Sequence, residues 1–259
     1  MRCLPLCCFL AIAAHAAEAP LDHARYAVAL KEFRAQDGRS LVVLRAAGGS
    51  AEERRAAIDD VRERLVDEPA GPLTSAVAAL LPQASPVEAR LLLAALAEAK
   101  AGGATASVAA LAAQADSPVR VDAALALAEI GGAKAVPVLA ALAKDEAIAE
   151  EAVAALAKVS GPGVTEAFNT GIRDAQAALP ARFALIKAAV VRNNRAIAGA
   201  LCVTIREEPM RLESQKALLK LASAADLPAL RQAEAAVANA ATKAALGRLI
   251  AKLEKPEGK

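Results

Sequence analysis

The sequence holds no tryptophan, one tyrosine (Tyr26) and four phenylalanines in 259 residues. A globular core of this length normally fills its volume with aromatic rings. Alanine and leucine dominate instead, which suits thin layers of closely approaching helices. Alanine is also the best helix former, because it loses no side-chain entropy in a helix. Long runs of alternating apolar and polar residues, the mark of a half-buried strand, are missing as well. The expected class is all-α.

Charge of one sign is also lacking: 31 basic residues face 29 acidic ones. A nucleic-acid binder would show a basic stripe, so no nucleic-acid partner is expected. Histidine is down to two, His15 and His23, and metal sites need several convergent ligands. No metal and no cofactor are expected.

The N-terminal residues read as a signal peptide over residues 1–16. Arg2 gives a positive start, residues 3–14 are apolar throughout, and Ala14-His15-Ala16 supplies a small-residue cleavage pattern. Cleavage is expected between residues 16 and 17, with 19 and 20 as the alternative. The apolar run is shorter than the roughly 17–25 residues that span a bilayer, so no membrane span is expected. Export to a periplasmic or extracellular location follows. Of the four cysteines, Cys3, Cys7 and Cys8 leave with the leader, and Cys202 alone cannot form an internal disulfide.

Internal self-similarity is the strongest signal. The stretch from Pro118 to Leu139 aligns without a gap on the stretch from Pro209 to Leu230. Pro118, Arg120, Asp122, Leu127, Ile130 and Pro137 meet Pro209, Arg211, Glu213, Leu218, Leu221 and Pro228. The offset corresponds to three units of about thirty residues. Intermediate copies pair Asp116 with Asp145, Leu127 with Leu156, Leu96 with Leu127 and Leu65 with Leu96. Six units result, starting near 54, 85, 116, 145, 176 and 208. The unit at 176 is the most degraded, although Phe183, Ile186, Val190, Ile197 and Leu201 keep the spacing.

Each unit reads as two helices. In the clearest, Asp116 or Ser117 is expected to cap a helix with Pro118 in its first turn. Val119, Ala123, Leu127 and Ile130 form its apolar stripe. Gly131-Gly132 ends it, and Pro137 opens or tightens a second helix carrying Leu139 and Leu142. One such pair cannot bury its own apolar flank, but stacked pairs can.

The pattern D-x-x-V-R-x-x-A-A-x-x-L, then Gly-Gly, then A-x-P-x-L, resembles a short HEAT repeat of the kind also seen in bilin-lyase accessory proteins. The resemblance covers residues 54–240, most sharply 116–159 and 209–230. The first and fifth units lack the Asp and Arg landmarks. It implies a right-handed α-solenoid of about six helical hairpins with second helices on the concave face. Residues 20–53, with Tyr26, Leu30, Phe33, Leu41 and Leu44, are expected as capping helices. Residues 241–254, with Leu246, Leu249 and Leu253, read as a C-terminal cap, and 255–259 as a loose tail.

No catalytic constellation emerges, so no enzyme is expected. Cys202 sits between Leu201 and Val203 with no activating neighbour, and is expected as a buried, inert thiol. The adjacent acids Asp59-Asp60, Glu150-Glu151 and Glu207-Glu208 do not face each other on a helix and read as solvated faces. Arg54-Arg55 and the turn from Arg192 to Arg195 are the basic knots.

The two helices of each unit differ in charge. First helices carry Arg62, Glu63, Arg90, Glu98, Arg120 and Asp122, whereas residues 73–82 and 104–114 carry none. Two accounts fit: alanines sandwiched for close approach, or a shallow uncharged groove for an extended peptide or partner helix. The groove would include Ser75, Ala79, Ala106, Ala110 and Gln114. A non-catalytic protein- or peptide-binding scaffold of the cell envelope, acting as a monomer, is the expected function. The alternatives are an accessory factor to an enzyme and a structural spacer.

Overall fold

The structure, a computed structural model, describes residue 44 and residues 50–255. The signal peptide and most of the capping segment expected over 20–53 lie outside the described residues, as do residues 256–259 of the tail. Among the described residues every regular element is helical: thirteen α-helices and five short 3-10 turns. The chain divides into two compact units between Ala57 and Ile58.

The described part of the first unit is Leu44, which is buried, and the opening of α1 (Ala51–Asp67). Ser50 and Glu53 close a reciprocal cap there. The Ser50 hydroxyl accepts from the Glu53 amide at 3.2 Å, and the Glu53 carboxylate accepts from the Ser50 amide at 2.8 Å. Arg54 Nη2 donates to the Leu44 carbonyl at 3.3 Å.

In the second unit, helices follow in pairs. They are α2 (Pro72–Leu80), α3 (Pro86–Glu98), α4 (Thr105–Ala113), α5 (Arg120–Ile130), α6 (Ala135–Leu142) and α7 (Ala149–Lys158). Then come α8 (Val164–Arg173), α9 (Leu179–Val191), α10 (Ala198–Thr204), α11 (Arg211–Leu221), α12 (Leu227–Ala236) and α13 (Ala240–Glu254). Odd-numbered helices from α3 onward pack each on the next odd one, up to α11 on α13. Even-numbered helices do the same from α2 on α4 to α10 on α12. Successive odd-numbered helices and successive even-numbered helices are thus packing partners. Each even-numbered helix from α4 onward also packs on the odd-numbered helix that follows it.

Local chemistry sets the boundaries. Ser85 accepts from the Glu88 amide while Glu88 reaches back to the Ser85 amide, and Pro86 takes the first helical position of α3. Asn239 accepts from Thr242 to start α13. Three odd helices end in the same way, with a left-handed residue one place past the cap: Lys100 (φ 51°) after α3, Gly132 (φ 49°) after α5 and Asn193 (φ 52°) after α9. Behind Lys100 and Asn193 the next amide folds back on the helix, Ala101 to Leu96 at 2.9 Å and Asn194 to Ala189 at 2.8 Å. These bonds satisfy carbonyls that the helix end leaves open.

The helix at 116–130 begins differently from expectation. Its first helical residue is Arg120, and its cap position, Val119, offers no side-chain bond. Asp116, Ser117 and Pro118 form the preceding turn, in which the Arg120 amide donates to the Ser117 carbonyl at 3.2 Å. The turn uses the backbone for what a side-chain cap would have done. The apolar stripe is as expected: Val119, Ala123, Leu127 and Ile130 are all buried, as are Leu139 and Leu142 of α6.

Small residues set the helix spacing. Ala123, Ala152, Ala155, Ala188 and Ala189 are essentially fully buried. A methyl group on Gly171 would come within 2.6 Å of Leu185 Cδ1, so the Leu185 side chain of α9 packs directly on the α8 backbone there. Phe168, fully buried, is the largest side chain of the core.

Candidate functional site: an uncharged helix face beside arginine-carboxylate ties

Ser75 and Ala79 lie on α2, Ala106 and Ala110 on α4, and Gln114 caps the end of α4. All five are exposed, while Val77, Leu80, Val108 and Leu111 of the same helices are buried. The helical spacing of Ala106, Ala110 and Ala113 gives α4 one outward stripe of methyl groups. The two helices pack against each other, so the five residues occupy neighbouring elements. Pro137 and Ala141 of α6 are exposed as well.

Two depressions border this face. An open groove of about 880 Å³ runs between the ends of α4 and α6, with walls that include Ala113, Pro137, Val138 and Ala141. Arg120, Lys144, Asp145 and Glu146 contribute its polar groups. A second, of about 350 Å³, lies at the turns and includes Pro82, Pro86, Gln114 and Pro118. The surface offers shape, methyl groups and a few donors and acceptors.

The main polar structure lies at the helix ends, and part of it was not expected from the sequence. Arg120 is 9% exposed; its Nε donates to the Ala112 carbonyl at 3.0 Å and its Nη1 to Asp145. Arg182 is 2% exposed; its Nε donates to the Ile172 carbonyl at 2.8 Å, and its two Nη atoms to Glu207 at 2.6 and 3.0 Å. Each arginine thus closes the end of the even helix before it and ties the start of the next odd helix to its own. Arg182 is the arginine that the fifth unit was expected to lack. The available signal was Pro-x-Arg, which occurs at 118–120, 180–182 and 209–211.

The acids respond to these ties. Asp145 accepts from Arg120 and also from the Ala147 amide at 3.0 Å, and the Arg120 bond above all holds its carboxyl below the usual range. Glu207, expected on a solvated face, is instead the carboxylate that neutralises Arg182. Its neighbour Glu208 pairs with Arg211, which lowers the Glu208 pKa. Arg211 also reaches Thr242 at the start of α13, at 3.1 Å. More exposed ties join Arg62 to Glu98 and Arg90 to Asp122.

The basic knot near 192 is partly structural. Arg192 Nη1 donates to the Val159 carbonyl at 2.7 Å, and its guanidinium lies 5.3 Å from the centre of the Phe168 ring. Burial lowers its pKa. Cys202 is 4% exposed, and burial pushes its thiol up to about 11. A thiol held protonated in this way is a poor nucleophile.

Among the described residues no group of three or more His, Cys, Asp and Glu side chains is placed to hold a metal ion. No described helix is long and apolar enough to cross a membrane. Compared with known proteins, the chain matches no family model, no curated protein and no solved structure.

Proposed function

We propose that the chain is an exported, non-catalytic binding scaffold, a short solenoid of about six HEAT-like hairpins that takes an extended protein or peptide segment along its even-numbered helices. Packing of each helix from α2 onward on its second neighbour in sequence supports the solenoid reading, because stacked hairpins shield one another's apolar flanks. The recurrence of the arginine tie at Arg120 and Arg182 supports a repeating unit.

The observation that carries the binding reading is the exposed, charge-free face of α2 and α4, with Ser75, Ala79, Ala106, Ala110 and Gln114 at the surface. An alanine needed only for close helix packing would be covered by its neighbour. Ala79, Ala106 and Ala110 are not covered. Exposed small residues beside an open groove allow a second polypeptide backbone to approach closely.

The test replaces Ala110 by Arg, which adds bulk and charge at an exposed helical position. Proteins captured from the envelope fraction of the source cells are compared for wild type and variant, with circular dichroism to verify the fold. A partner held by wild type and lost by a folded Ala110→Arg variant is the expected result. The same partner held equally by both would refute docking on this face.

A further inference from the structure

Charge is nearly balanced over the whole chain but not along it. From Ile58 to Ala178, which takes in most of α1 and α2 to α8, 16 acidic residues stand against 9 basic ones, a net −7. From Leu179 to Lys255, which takes in α9 to α13, 13 basic residues stand against 6 acidic ones, a net +7. The ion pairs Arg62–Glu98, Arg90–Asp122, Arg182–Glu207 and Arg231–Glu254 each join partners on one side of that divide. They leave both imbalances in place.

A groove lies at the divide. α7 is the last odd-numbered helix before it and α9 the first after it, and a depression of about 370 Å³ separates their surfaces. Val153, Pro180, Phe183 and Ala184 give it apolar walls, and Glu150 of α7 and Lys187 of α9 line it too. Both charged residues are exposed, and among the described residues neither has an ion-pair partner. The imbalance is also local: α5 and α7 hold four carboxylates and two cations, whereas α9 and α11 hold five cations and one carboxylate. Leu179, Val191, Leu212 and Leu219 leave apolar surface uncovered on α9 and α11.

We infer that a second copy of this chain docks on the odd-numbered helices across this groove, in a two-fold dimer where Glu150 of each copy pairs with Lys187 of the other. An acid and a base that share a groove without pairing are self-complementary, because a two-fold axis along the groove brings each onto its opposite. The same rotation lays the acidic α5 and α7 of one copy over the basic α11 and α9 of the other. A foreign partner would have to reproduce both signs in the right order, whereas the chain's own surface already does. This docking goes beyond the proposed scaffold function: it uses odd-numbered helices and leaves α2 and α4 open.

Sedimentation equilibrium of the protein, expressed with its own leader and purified, tests it. Twice the chain mass is expected at low salt, with dissociation as salt rises and screens the exposed charges. Glu150→Lys and Lys187→Glu are each expected to weaken the dimer by about tenfold, since one reversal creates two repulsive contacts in a two-fold interface. The two single variants mixed in equal amounts are expected to recover wild-type association. The double variant Glu150→Lys/Lys187→Glu is expected to recover it as well. Circular dichroism verifies each fold, and Glu150→Gln and Lys187→Gln, with a smaller loss expected, replace any reversal that does not fold.

A monomer at every concentration up to the solubility limit overturns the inference. So does a dimer that neither single variant weakens, or one whose weakening the equal mixture fails to reverse. Assemblies growing beyond two copies would mean head-to-tail association of acidic and basic ends, and would overturn the two-fold arrangement. None of these outcomes bears on Ala110→Arg, whose effect on partner capture decides the scaffold reading separately.

Discussion

Arg182 and Glu207, 25 residues apart in sequence, meet through two hydrogen bonds of 2.6 and 3.0 Å behind the start of α11. The guanidinium is almost fully buried, whereas the carboxylate keeps about a third of its side-chain surface in water. That asymmetry decides how the pair responds to mutation.

Removing the carboxylate strands a buried positive charge, whereas removing the arginine leaves a carboxylate that water can reach. Glu207→Ala is therefore expected to destabilise by about 3–5 kcal/mol, and Arg182→Met by less, nearer the lower end of that range. The exposed pair Arg90–Asp122 is expected to contribute within about 1 kcal/mol. Urea unfolding of the single variants and of the Arg182→Met/Glu207→Ala double variant checks this. The double variant should recover part of the loss.

Lys100 occupies a left-handed backbone conformation (φ 51°) at the place where α5 is followed by Gly132 (φ 49°). A side chain there crowds the following carbonyl, a strain of roughly 1–2 kcal/mol that glycine avoids. Lys100→Gly is expected to stabilise by up to about 1 kcal/mol after glycine's larger unfolded-state entropy is deducted. Gly132→Ala is expected to destabilise by about the same amount. Thermal melts of the two variants should move in opposite directions.

Asp145 gives the pH dependence. Arg120 and the Ala147 amide lower its folded-state pKa from the ordinary value of 3.8. The unfolded chain therefore binds that proton more readily, and the stabilisation is complete above the ordinary carboxylate value. It is lost as pH falls through the lowered one. Between pH 6 and pH 3 the melting temperature is expected to fall, and to fall less in Asp145→Asn. A variant that melts along a parallel curve would contradict that assignment.

Much of this architecture was legible in the sequence because it rests on periodic apolar residues. Val119, Ala123, Leu127 and Ile130 fall on one helical stripe and are buried. The C-terminal helix expected over 241–254 is α13, Ala240–Glu254. The five residues of the uncharged face are exposed, as helical spacing from Val108 and Leu111 requires. What escaped is what depends on pairs distant in the chain. Arg182 sits amid Pro180, Phe183 and Ala184, where local pattern says nothing of partners 10 residues before and 25 after. Asp116 and Ser117 have the chemistry of helix caps, but a backbone turn starts α5 instead.

The proposed array makes each hairpin depend on its neighbours and on little else, and hydrogen exchange tests this most directly. Leu249 of α13 is 5% exposed, and Leu249→Ala is expected to remove about 2–5 kcal/mol of local packing. With nearest-neighbour stacking, exchange should accelerate in α11, α12 and α13 and stay at wild-type rates in α3, α4 and α5. Uniform acceleration from α3 to α13 would mean one cooperative core, and the stacked-hairpin account would be wrong.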